Sequence, residues 1–221
     1  TAGLHRAAQS HVGRHGGDDR TAKRDHLLVR TPEANVSRAI QWLNGSYGIW
    51  YNRKHQRSGH LFGERFKASL IEDGGWLLEA SVYVHLNCVA TAAMGWGKRE
   101  KRAQGKGIAR PPTVAEVERR LKILRSHLWS TYRGYAGYAK LPTWVDAGVL
   151  LRRAKKQGQE ACAGYRDLVE DRIRQGVPEG LGAQVRWGLV LGGERFARKV
   201  RRHLKVGRES RGRVGLNRWM S

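Results

Sequence analysis

Between Met94 and Pro112 the hydrophobic pattern of the chain stops. The stretch is rich in Gly, Lys and Arg and closes on Pro111-Pro112, a pair that neither continues a helix nor donates to a sheet. A break of this kind limits any single core. It predicts a boundary near residue 100, so that the 221 residues form two units rather than one large domain. The 40% hydrophobic content is enough to give both a core. No window approaches the roughly 18 uninterrupted apolar residues of a membrane span.

Before the break, Thr1 to Arg24 is rich in Gly, His and Arg without periodicity, which reads as loop or disorder. His26-Leu27-Leu28-Val29 is an apolar run suited to a buried strand, closed by Thr31-Pro32. Asn35 can cap a helix to about Asn52, along which Val36, Ile40, Leu43, Tyr47 and Trp50 recur at spacings of three and four. That spacing predicts core packing for Trp50. The polar loop Arg53 to His60 follows, then a strand over Leu61 to Ile71 with Arg65 and Lys67 on one side and Phe66 and Ala68 on the other. After a turn at Asp73-Gly74-Gly75, Trp76 to about Ala90 reads as a helix.

Beyond the break, Thr113 to His127, Val149 to Gln175 and Glu194 to Lys205 read as helices, and Tyr132 to Trp144 as an aromatic, Gly-rich connector. The resulting division is 1–24, 25–97, a linker at 98–112, and a mainly helical extension at 113–221 with a basic tail. The run Arg198 to Lys205, with Arg208, Arg211 and Arg213, is either a basic helix end or a second grip on DNA.

Charge narrows the function. Forty-two Lys and Arg against 19 Asp and Glu leave +23, far beyond what solubility requires, and eight Trp with seven Tyr exclude a disordered basic tail. A folded nucleic-acid binder is expected. Arg53, Lys54, Arg57, Arg65 and Lys67 are the candidate DNA contacts, and Trp42, Trp50 and Tyr51 could stack on unpaired bases. The polar start carries no signal-peptide pattern, and Cys88 and Cys162 suit neither a disulfide framework nor a zinc knuckle, so a cytoplasmic protein is expected. The opening at Thr1 suggests a fragment, a processed product or a misassigned start.

Tyr83 and Asn87 stand four apart on the predicted helix and so share one face. A tyrosine can attack a phosphodiester if a divalent cation neutralises the developing charge, with Asn87 offering oxygen and His26 nitrogen as ligands. The spacing alone equally describes a half-buried aromatic and a helix-end residue.

Four stretches carry more information. They are His26-Leu-Leu-Val-Arg-Thr-Pro-Glu-Ala-Asn, Gln41-Trp-Leu-Asn-Gly-Ser-Tyr, Tyr51 through Lys67, and Tyr83-Val-His-Leu-Asn-Cys-Val-Ala. Together they resemble the REP-associated tyrosine transposases, relatives of the insertion-sequence single-strand transposases in the HUH endonuclease superfamily. The similarity is dense over about residues 26 to 93, and Trp129 to Tyr135, Tyr165 to Glu170 and Leu191 to Phe196 resemble the C-terminal extension of longer members.

The resemblance implies an α+β fold, a ferredoxin-like antiparallel sheet with packed helices whose N-terminal part is incomplete here. It makes Tyr83 the nucleophile and His26 and Asn87 ligands of Mg2+ or Mn2+. The reaction implied is cleavage and rejoining of single-stranded DNA, beside a hairpin, through a 5′-phosphotyrosine, in transposition or recombination. The partner is single-stranded or hairpin DNA, and a homodimer is compatible with it. Arg24 stands where the resemblance places a first histidine, and Asp25 alternates to the face opposite His26. The abrupt start at Asp25-His26 fits a truncated or frame-shifted reading frame. The alternative is a catalytically inactive remnant that still binds hairpin DNA.

Overall fold

The computed structural model describes residues 4–11, 24–63, 65–97, 100, 103, 108, 110–155, 158, 160–176 and 181–209. The protein is α+β and divides into two compact units, 1–73 with 185–221, and 74–184. The boundary therefore falls at residues 73 and 184, away from the basic linker. Composition marks where a chain is polar, whereas a unit ends where apolar faces stop packing. The helix bearing Tyr83 belongs to the second unit, and the last strand and helix return to the first.

The first unit holds a four-stranded sheet of order β2-β1-β3-β4, with β1 at Leu4–His11, β2 at Arg24–Thr31, β3 at Lys67–Ile71 and β4 at Val190–Leu191. Leu4–His11 thus corrects the expectation of loop or disorder over 1–24; residues 12–23 lie outside the described residues. β1 pairs antiparallel with β2, Gln9 opposite His26, and with β3, Ala8 opposite Ala68. Both ladders are made by backbone groups, which require no side-chain alternation. β4 runs parallel to β3, making the sheet mixed, not the wholly antiparallel one the resemblance implies. Residues 72–189 separate the two strands, and parallel pairing needs such a crossover.

Helix α1, Val36–Lys54, follows Asn35 as expected, although Asn35 makes no side-chain cap. Val36 and Ile40 are buried against Leu27, Val29 and Phe66. The strand expected from Leu61 begins only at Lys67, because Leu61 and Phe62 turn onto α1: Leu61 Cβ lies 3.9 Å from where a Cβ on Gly48 would stand, and Phe62 packs 6.3 Å from Tyr47. Helix α8, Glu194–Glu209, closes the unit. The Gly193 N–H donates to Glu72 Oε2 at 2.7 Å, placing a carboxylate at the positive end of α8. A Cβ at Gly192 would stand 2.6 Å from Phe196 Cδ1 and 2.9 Å from Glu72 Cβ, so only glycine permits that approach.

The second unit is helical: α2 Gly75–Leu86, α3 Val114–Ser126, α4 Tyr132–Tyr135, α5 Gly148–Ala154, α6 Ala161–Gln175 and α7 Leu181–Gln184. Thr113 and Glu116 form a reciprocal capping box that starts α3. Helix α2 turns Leu77, Ala80, Ser81, Val82, His85 and Leu86 inward, and α5 and α6 pack beside it. Trp96, inside the stretch read as linker, is fully buried, with the Arg120 guanidinium 4.9 Å over its ring. Among the described residues no helix is long and apolar enough to cross a membrane.

Candidate nucleic-acid interface

Helix α1 contains no acidic residue and ends on Arg53 and Lys54. Its inner face is used up in the first turns, where Val36 and Ile40 meet the sheet. Beyond them the apolar residues remain in solvent: Trp42 is 72% exposed, Trp50 51% and Tyr47 44%. Core packing of Trp50 is therefore corrected. The spacing is that of an amphipathic helix, but among the described residues the segment packed on its second half is the loop through Leu61 and Phe62.

Tyr47 and Trp50 belong to a cluster with Tyr51, Lys54 and His55. Tyr47 lies 5.6 Å from Trp50 and 6.0 Å from Tyr51, His55 stacks 4.2 Å from Tyr51, and Lys54 Nζ stands 4.8 Å over the Trp50 ring. Asn52 Nδ2 donates to the Gly59 carbonyl at 2.8 Å, holding the loop to the helix. Arg53, Lys54 and Arg57 are exposed at the helix end and in that loop, and Arg65 and Lys67 are exposed on the segment leading into β3. All five predicted contacts thus belong to one unit, beside three flat exposed rings.

The proposed chemical residues are distributed differently. His26 is half-buried on β2 in the first unit, while Tyr83 is half-buried on α2 in the second. Asn87 caps α2, its Nδ2 donating to the Tyr83 carbonyl at 3.0 Å and to the Val84 carbonyl at 3.5 Å. Its amide nitrogen is engaged by its own helix. His85 faces inward and burial holds its imidazole down at about 3, keeping it neutral. Its Nδ1 lies 2.8 Å from Tyr165 Oη and its Nε2 2.9 Å from Thr131 Oγ1, while Ser81 Oγ is 2.5 Å from the same Tyr165 hydroxyl. This chain of hydroxyls and imidazole fixes α2, and with it the placement of Tyr83, against α6. Burial also pushes the Cys88 thiol up to about 11, which leaves it protonated and unreactive at neutral pH.

His26 and Asn87 belong to separate units, position 24 carries a cationic arginine, and among the described residues no group of three or more His, Cys, Asp or Glu is placed to hold a metal ion. Two features escape sequence reasoning. The buried Ser81, His85, Thr131 and Tyr165 network joins residues up to 84 positions apart. Trp187, 54% exposed in the three-residue loop between the paired Arg186 and Val190, has only its neighbour Gly188 as a signal. Comparison with known proteins gives no relative: no family model, no curated protein and no solved structure matches the chain.

Proposed function

We propose that this protein is a DNA-binding transposase acting on single-stranded or hairpin DNA, on a ferredoxin-like scaffold, with Tyr83 as the residue that becomes joined to the cleaved strand. The observation that carries the binding half is the α1 surface, where Trp42, Tyr47 and Trp50 stand in solvent beside Arg53, Lys54, Arg57, Arg65 and Lys67. Flat exposed rings stack on bases, and cations neutralise phosphates. A duplex hides its base faces in the stack, so rings and cations together favour unpaired strands.

In the cutting half, the Tyr83 oxygen forms a bond to phosphorus as the bond from phosphorus to the 3′ oxygen breaks. The phenol gives up its proton and the leaving 3′ oxygen takes one up. A 5′-phosphotyrosine and a 3′-hydroxyl result, and rejoining is the reverse. Magnesium or manganese would neutralise the charge that develops on the phosphate. The second reading, a hairpin-DNA-binding remnant that no longer cuts, is favoured by Arg24, a cation that cannot ligate a metal where the resemblance places a histidine.

Incubating the protein with labelled hairpin-bearing single-stranded DNA and either metal separates the two. The transposase reading expects a protein-linked strand on a denaturing gel that disappears in Tyr83→Phe, with hairpin binding unchanged, and that grows in Arg24→His. Binding without a linked strand in any variant establishes the remnant instead.

A further inference from the structure

The first unit carries a second aromatic and cationic surface, at the opposite end of the sequence from α1. Arg186 to Leu189 form a tight turn in which the Leu189 N–H donates to the Arg186 carbonyl at 3.0 Å. Both central residues have left-handed backbone, Trp187 at φ 52° and Gly188 at φ 68°. Glycine takes such angles freely and asparagine tolerates them, but a bulky tryptophan does so only under strain. The ring gains little shelter in return, being 54% exposed. A strained backbone that displays an aromatic ring in water has no packing explanation.

The cations beside it supply one. The Arg201 guanidinium of α8 lies 5.6 Å from the Trp187 ring centre and holds the ring against the helix. At 3.6 residues per turn, Arg195, Arg198, Lys199 and Arg202, all exposed, fall within roughly 100° of arc on α8. Their one described ion pair is a loose contact from Arg198 to Glu194 at 3.8 Å. Both parts are rigidly mounted. The turn leads directly into β4, where the Leu70 N–H donates to the Leu189 carbonyl at 2.7 Å, and α8 is anchored by Glu72 at its N-terminus.

We infer that Trp187 and the basic face of α8 form a second binding site for unpaired nucleic acid, in which a base stacks on the open part of the Trp187 ring and the adjoining phosphates lie along Arg195, Arg198, Lys199 and Arg202. Charge complementarity selects a polyanion, and the displayed ring selects one with free base faces. The inference rests on the reading of this protein as a single-strand binder and is independent of Tyr83 chemistry.

The test exploits the strain. Asparagine tolerates the left-handed backbone that strains tryptophan here, so Trp187→Asn folds with an unchanged or higher Tm. Its affinity for a labelled oligothymidine, read by anisotropy, falls about 5- to 150-fold, the range for loss of one stacked base, while affinity for a blunt duplex is unchanged. Trp187→Phe, which keeps a flat ring, retains most of the affinity. Wild-type oligothymidine affinity in Trp187→Asn, or equal losses on single strand and duplex, overturns this site while leaving the α1 surface standing. A wild-type protein that binds no oligothymidine overturns both.

Discussion

Helix α1 leaves Trp42, Tyr47 and Trp50 in solvent, whereas the second unit withdraws Tyr132 and Tyr165 completely. The residue types are alike and their surroundings differ. Past Ile40, the described contacts of the α1 aromatics are those of Tyr47 with Trp50, Tyr51 and Phe62, and of Trp50 with Lys54. In the second unit the partners arrive for these two tyrosines, although Trp129 and Trp144 stay exposed there. Tyr165 Oη lies between Ser81 and His85, and Tyr132 Oη donates to Glu170 Oε1 at 3.1 Å. An aromatic with a polar tip is buried where another element both covers the ring and satisfies the tip. One left exposed among cations is available to a ligand.

The largest expected effect tests that contrast at its centre. Glu170, 3% exposed, accepts from Arg125 at 2.8 and 2.5 Å, from Tyr132 and Tyr138, and from Arg174 at 3.3 Å. Burial alone would raise its carboxyl, but these donors, led by Arg125, hold it below the ordinary carboxylate range. Glu170→Ala strands several donors and is expected to cost about 3 kcal/mol in urea unfolding. Trp42→Ala and Trp50→Ala are expected to stay within about 0.5 kcal/mol of wild type. If Trp50→Ala costs as much as Glu170→Ala, its ring is core and the contrast fails.

Acidity sharpens the same comparison. An unfolded chain protonates His85 below its ordinary value of 6.5, while the folded protein excludes that proton until about 3. The folded value is depressed, so this stability is fully present above pH 6.5 and is lost as pH falls toward about 3. The slope from this group approaches about 1.4 kcal/mol per pH unit. Urea melts at pH 7 and pH 5 should differ accordingly, and His85→Gln should flatten the difference. An unaltered slope in that variant would mean that His85 is not the group excluded from protonation.

What was legible in the sequence follows the same division. Local signals held: Thr113 and Glu116 mark the start of α3, Asp73-Gly74 precedes α2, and the alternation of Arg65, Phe66, Lys67 and Ala68 matches their exposure. Signals that depend on a partner failed. Periodicity placed Trp50 on an inner face but carries no information on whether anything lies opposite. The Met94 to Pro112 linker misplaced the unit boundary because Trp96 and Arg120 meet across it. β1 was invisible because its ladders use the backbone. Of the site residues, the five cations share one unit, whereas His26 and Tyr83 do not.

Binding measurements approach the contrast from the other side. Loss of the Trp50 ring should weaken oligothymidine binding about fivefold, the lower end for one stacked base, because Lys54 already occupies part of the ring. Tyr165→Phe, which alters only the buried network, should leave that affinity unchanged. Equal losses in the two variants would show that binding reports folding and not the α1 surface.

The smallest effect is a slope. Arg53→Glu with Lys54→Glu removes two cations from the end of α1, where both are exposed and no acid within the helix offsets them. If both neutralise phosphates, the dependence of log affinity on log salt becomes shallower by roughly 0.7 for each on single strands, or roughly 1.4 for the pair. The weakening should be uniform across base sequences, since phosphates are common to all of them. The same exchange at Lys122, a cation of the second unit, should leave the slope unchanged. A shift of equal size there would mean that net charge, and not the arrangement on α1, sets the binding.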